Sequence, residues 1–150
     1  MIDSMPTADV DDAQRFARVG VPADALTAAQ IRDEFAQWLR QSFDIDPVRT
    51  SDLVLAVNEA LANCAEFAYV CAPEVGTMDL QAWHDTARQT IVVVVADEGT
   101  WRNPESPRAL SRGRGIPLME ALSDHADIDT SESGTRVRME WSNVAAAQVS

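Results

Sequence analysis

Four short stretches of this chain hold residue types at spacings that could do chemistry. The first is Asn58-Glu59-Ala-Leu-Ala-Asn63-Cys-Ala-Glu66. Glu59 and Asn63 stand at i and i+4 and so share one helical face, with Glu66 about a turn further on. No Arg or Lys lies within the stretch to pair with them. A carboxylate beside a carboxamide can hold a hydrated Mg²⁺, a hard cation that takes oxygen ligands and keeps several waters. The carboxylate could instead accept the proton of an attacking hydroxyl. The second stretch is Asp97-Glu98-Gly99-Thr100-Trp101. A carboxylate there can accept a hydrogen bond from an exocyclic amine such as adenine's, and Gly99 lets a flat ring approach the backbone. Trp101 belongs with these binding residues, or it packs in the core. The third is Arg112-Gly113-Arg114-Gly115-Ile116 at a helix start, where free N–H groups and two guanidinium groups suit a phosphate. The fourth is Gly134-Thr135-Arg136-Val137, whose threonine hydroxyl could reach a base or a bridging water. Each stretch alone also has a plain reading: a wet helix face, a turn, a solvated loop, a turn before a strand.

The elements that must position these residues follow from periodicity. Arg15–Val21 alternates as an edge strand and ends at Pro22. Ala28, Ile31, Phe35, Trp38 and Leu39 recur at helical spacing, which predicts an amphipathic helix over 24–42. Asp46-Pro47 opens a second helix running to about Tyr69, with Leu53, Val57, Ala60, Leu61, Cys64 and Ala68 as its buried stripe. Glu59, Asn63 and Glu66 then fall on the opposite, wet face. Thr77–Trp83 and Arg88–Ala96 read as two strands joined by a hairpin-like link at 85–87, the second buried on both faces. Residues 97–115 carry three glycines, two prolines and four arginines without periodicity, the pattern of a functional loop. A short helix over Ile116–Leu122 and strands over Ala126–Thr130 and Thr135–Trp141 complete the chain. The order β-α-α-β-β-loop-α-β-β predicts an α/β (α+β) two-layer sandwich, a mixed, mostly antiparallel sheet with helices on one face.

Composition bounds the function. The 150 residues fit one domain, and 46% apolar content supports a true core. No apolar run is longer than Ile91–Ala96, which is strand length, far short of the roughly 20 residues of a membrane helix. With no basic, apolar leader at residues 1–13, a cytoplasmic protein is expected. The net charge of −12 repels phosphate backbones, which argues against nucleic acid and for a basic protein surface. The chain has no lysine, and Arg102, Arg108, Arg112 and Arg114 reverse the local sign beside the glycines. Cys64 and Cys71 make neither a C-x-x-C motif nor, with His84 and His125, a zinc pattern, and read as reduced and structural. The phosphate loop G-x-x-x-x-G-K-[ST] is absent.

In this order, the four stretches resemble the N box and three G boxes of the GHKL ATPase superfamily, which includes the histidine kinases. Within it, Leu55-Ala-Val-Asn-Glu-Ala-Leu-Ala-Asn63 with Ala68-Tyr69, then Gly113-Arg-Gly-Ile-Pro-Leu-Met-Glu120, resembles the bacterial anti-sigma-factor serine kinases. The resemblance covers residues 14–142, leaving 1–13 as a flexible segment and 143–150 as a tail. It implies a Bergerat-type sandwich that binds ATP and Mg²⁺. Glu59 would be the general base and Asn63 the Mg²⁺ ligand. Asp97 would take the adenine amine beside Gly99. Residues 101–115 would form a lid, with Gly113 and Gly115 at the phosphates and Thr135 near the base. Such kinases bind a sigma factor and phosphorylate a serine or threonine on an anti-anti-sigma (STAS-type) antagonist, and dimers are common among them. One residue departs from the pattern: Phe67 stands where relatives often carry His, and Phe cannot hydrogen-bond a phosphate. Three readings therefore stand side by side: an active kinase, an ATP-dependent binding module without turnover, and the ATP-binding domain of a larger regulator.

Overall fold

The computed structural model describes residues 15–68, 76–99, 116–131 and 134–147. Its elements are β1 (Arg15–Pro22), α1 (Ala25–Ser42), β2 (Phe43–Asp44), α2 (Pro47–Asn63) continued by a π-helical turn (Cys64–Ala68), β3 (Thr77–Asp85), β4 (Thr90–Asp97), α3 (Ile116–Leu122), β5 (His125–Ser131), β6 (Gly134–Trp141) and β7 (Ala145–Ala146). Aspartates cap both long helices: Asp24 accepts from the Thr27 N–H at 2.8 Å and Asp46 from the Arg49 N–H at 2.7 Å. These carboxylates satisfy N–H groups that the first turn leaves without intrahelical partners. Pro47 fits the first turn because that position needs no donor.

Five strands form one sheet in the order β1-β3-β4-β6-β5, and β2 pairs separately with β7. Every described pairing is antiparallel, in keeping with the mostly antiparallel sheet expected. The reason is topological. One helix between neighbouring strands returns the chain to run parallel, whereas two in succession bring it back to the end where β1 finished. β1 kinks at a register shift between Arg18 and Val21, where Gly20 takes φ 69° and donates its N–H to Asp79 Oδ1 at 2.7 Å. β4 begins at Thr90, two residues later than its apolar pattern suggests, because Gln89 turns the hairpin at φ 51°.

The core lies between the sheet and α1 and α2. Met78, Leu80 and Ala82 of β3, Ile91, Val93 and Val95 of β4, and Val137, Met139 and Trp141 of β6 face Phe35, Leu39, Leu53, Val57 and Leu61. Each such side chain contributes roughly 1.5–3 kcal/mol by leaving water. Val92 and Val94 are buried on the other face, where their strand neighbours are Trp83, Gln81, Arg138 and Glu140. Residues after 142 also join the packing. Val144 is 1% exposed, and its carbonyl is 2.7 Å from His84 Nε2.

Asp124 locks α3 and β5 to the rest. Its Oδ2 accepts from Arg49 Nη2 at 2.8 Å, from the Ser142 N–H at 2.7 Å and from the Ser142 hydroxyl at 3.0 Å. Partial burial pushes its carboxyl up, but those donors together outweigh this and hold it below the ordinary 3.8. A carboxylate lowered on folding stabilises the protein above its unfolded value, and that gain is lost as pH falls through the folded one. The side chain is 44% exposed, so solvent screening keeps the effect small. Asp124→Asn is expected to cost about 1 kcal/mol in urea unfolding at pH 7. The gap between parent and variant should close as the pH is taken down through the range below 3.8; a constant gap would remove the ionised carboxylate from the explanation.

Candidate functional site

α2 has two jobs. Its stripe of Leu53, Val57, Ala60 and Leu61 builds the core, while its last residue, Asn63, leads into the site. Asn63 is 2% exposed, which corrects the sequence reading that put it on a wet face. Ala56, Ala60 and Asn63 follow one another at i, i+4 and i+7, so Asn63 continues a small-residue stripe that is itself buried. Its Nδ2 has no hydrogen-bond partner among the described residues. Glu59, one turn earlier, is half-buried, and Glu66 is exposed on the π-helical turn.

Asp97 ends the central strand and is 6% exposed. Its Oδ1 accepts from the Gly99 N–H at 3.1 Å, and its Oδ2 accepts from the Cys64 thiol at 3.3 Å. The thiol thus joins the end of α2 to the end of β4. Burial pushes the Cys64 thiol well above its ordinary range, and the negative charge of Asp97, its hydrogen bond to Asp97 and the charge of Asp79 add to the rise. Cys64 is therefore a protonated donor, not a nucleophile. Sequence reasoning took Cys64 for a packing residue. Its place directly after Asn63 was the only available signal, and it could not show which carboxylate the thiol would meet.

β6 supplies the third wall. Asp97 is paired with Thr135 in the β4–β6 ladder. Thr135 is 4% exposed, and its Oγ1 has no hydrogen-bond partner among the described residues. A buried hydroxyl left unpaired costs about 1–3 kcal/mol, which a ligand or water could offset. Gly134, at φ 148°, lets this approach happen: a Cβ there would stand 2.0 Å from the Asp97 carbonyl oxygen and 2.9 Å from Glu98 Cα.

The structure thus brings Asn63, Asp97, Gly99 and Thr135 to one end of the sheet, around the Cys64–Asp97 contact. Ile116 is half-buried, packs against the core and begins α3. Trp101, Arg112, Gly113, Arg114 and Gly115 lie outside the described residues. Among the described residues no group of three or more His, Cys, Asp or Glu is placed to hold a metal ion. No described helix is long and apolar enough to cross a membrane.

The donor set suits a nucleotide: a fixed buried carboxylate to accept from an amine, and an amide N–H and a hydroxyl in want of partners. The comparisons agree. Residues 21–141 match the family described as the histidine kinase-like ATPase domain. Among solved structures, the chain is similar to the crystal structure of the RsbU and RsbW domains of Rv1364c from Mycobacterium tuberculosis, with 20% identity and a TM-score of 0.67. That alignment covers 91% of this chain and 33% of the other, so the chain spans about a third of that protein. At this identity the likeness establishes the fold. No curated protein matches the sequence.

Gly134→Ala is expected to lower stability by about 2 kcal/mol or more, because its Cβ meets backbone rather than a yielding side chain. Chemical denaturation measures this. A variant as stable as the parent would mean that β6 can retreat from Asp97 freely.

Proposed function

Because the chain belongs to the histidine kinase-like ATPase domain family, we propose that it is an ATP-binding serine/threonine kinase of the anti-sigma-factor type. One observation carries the nucleotide reading. Two buried polar groups, on Asn63 and Thr135, have no partner among the described residues and flank a buried carboxylate whose two oxygens are already oriented. In this reading Asp97 accepts from the amine of adenine, Gly99 leaves room for the ring, and Thr135 donates to the base or to a water beside it. Asn63 presents its carboxamide to the phosphates and to Mg²⁺. Bound there, the ion would shield the phosphate charge. Gly113, Gly115 and the N–H of Ile116 are assigned to the phosphates, Arg112 and Arg114 to added charge there, and Trp101 to the nucleotide.

Phosphoryl transfer needs positioning and charge neutralisation more than covalent help from the protein. Glu59 stands one helical turn before Asn63, on the same side of α2. There it accepts the proton of the incoming serine or threonine hydroxyl as that oxygen bonds the γ-phosphorus and ADP departs with the bridging oxygen. The net charge of −12 suits protein partners with basic surfaces, and we assign these as a sigma factor and a STAS-type antagonist. The likeness to a chain that carries an RsbW domain supports that choice.

A second reading keeps ATP binding without turnover, and Phe67 favours it because it brings no hydrogen-bonding group where relatives often carry His. Calorimetry and phosphate transfer separate the two. Asp97→Asn is expected to weaken ATP·Mg²⁺ binding by about 10–100-fold, the worth of a hydrogen bond to a charged group. Glu59→Ala should leave binding nearly intact and slow transfer to a STAS-type protein by about 10²–10⁴-fold. Equal ATP affinity in parent and Asp97→Asn would defeat the nucleotide assignment. ATP binding by the parent with no phosphoprotein under any condition would leave the binding module.

A further inference from the structure

The Cys64 thiol makes a hydrogen bond that the phosphoryl chemistry does not use. A buried cysteine commonly acts as a small hydrophobe. This one is 2% exposed and aims its S–H at a carboxylate that is itself 6% exposed. We propose that Cys64 is a positioning residue for base selection, holding the Asp97 carboxylate in the one rotation that accepts from a 6-amino purine and repels a 6-oxo purine. This rests on the nucleotide reading above.

The argument is geometric. A carboxylate can turn about its Cβ–Cγ bond, a soft torsion with broad preferences. Here one oxygen is held from its own chain, by the Gly99 N–H at 3.1 Å, and the other from α2, by the thiol at 3.3 Å. With both oxygens held, the plane of the group is set before any ligand arrives. An amine at the purine 6-position then meets an acceptor already aligned. A carbonyl at that position meets a negative oxygen that cannot swing away, and discrimination of this kind depends on the cost of the mismatched polar pair. One further feature supports a tuned contact. The thiol sits on the first residue of a π-helical turn, and such turns re-aim side chains within a helix and are frequent at functional sites.

The test is titration of the full chain with ATP and with inosine triphosphate, which differs at the 6-position in carrying a carbonyl for the amine. The parent, Cys64→Ala and Cys64→Ser are compared, with melting followed by circular dichroism. The parent should prefer ATP. Cys64→Ala should weaken ATP binding by about 3–10-fold and inosine triphosphate binding by less than about twofold, so that the preference narrows. Cys64→Ser restores an O–H donor and should recover the preference to within about twofold of the parent. A purely structural thiol predicts something else: a lower melting temperature with both nucleotides weakened alike. That result, or an unchanged preference in Cys64→Ala, or no recovery in Cys64→Ser, overturns the proposal. A parent that binds ATP without preferring it over inosine triphosphate also overturns it, while leaving ATP binding standing. A parent that binds neither nucleotide overturns the functional reading itself, and this one with it.

Discussion

A buried carboxylate is the constraint around which this protein is arranged. A charge taken out of water costs several kcal/mol unless donors replace its hydration. Asp97 meets that demand from two directions: its own strand end turns back to offer the Gly99 N–H, and α2 ends so that the Cys64 thiol reaches the other oxygen. The strand on its other flank must also come close, and Gly134 permits this by having no side chain where the Asp97 carbonyl lies. Strand end and helix end thus answer one electrostatic requirement, and the glycine answers a steric one. Together they converge at one end of the sheet.

The rest of the architecture holds those three pieces in register. β4 is the central strand, flanked by β3 and β6, so its end cannot drift without breaking two ladders. α2 is anchored along its length by Leu53, Val57 and Leu61, each fully buried. At its other end Arg49 reaches both Asp124 Oδ2 and the Ser142 carbonyl, tying the start of α2 to the α3–β5 junction. Trp141 adds a second tie there by donating its indole N–H to the Leu122 carbonyl at 2.9 Å. α3 thus begins, at Ile116, on a frame fixed by the core. The site is held by the core itself, so side chains tens of residues apart can act as one unit.

Much of the fold was legible in the sequence because it follows from periodicity. Ala28–Ile31–Phe35 and Met78–Leu80–Ala82 each repeat at the spacing of one element, and each lies buried in it. Asp46 announced a helix start for a local reason, since a cap bonds within its own turn. What local pattern missed was non-local. The short β2–β7 pair joins Phe43 to Ala146 across most of the chain, and no periodicity in two-residue strands could signal it. The antiparallel pairing of β1 with β3 depends on how many helices separate them, a count whose consequence appears only in three dimensions.

The site divides along the same line. The sequence by itself determined which residue types were present, their order, and hence a family resemblance that the match over residues 21–141 confirms. It also determined the charge that argues against nucleic acid as a partner. Only the tertiary structure decided that Asn63 is buried, that the Cys64 thiol meets Asp97, and that Thr135 lies beside that carboxylate with its hydroxyl lacking a partner among the described residues. The reason is physical. A residue's type and its neighbours in the chain set what it can do, but burial and hydrogen bonding are properties of groups brought together by packing. No local spacing encodes which carboxylate a helix-end thiol will find.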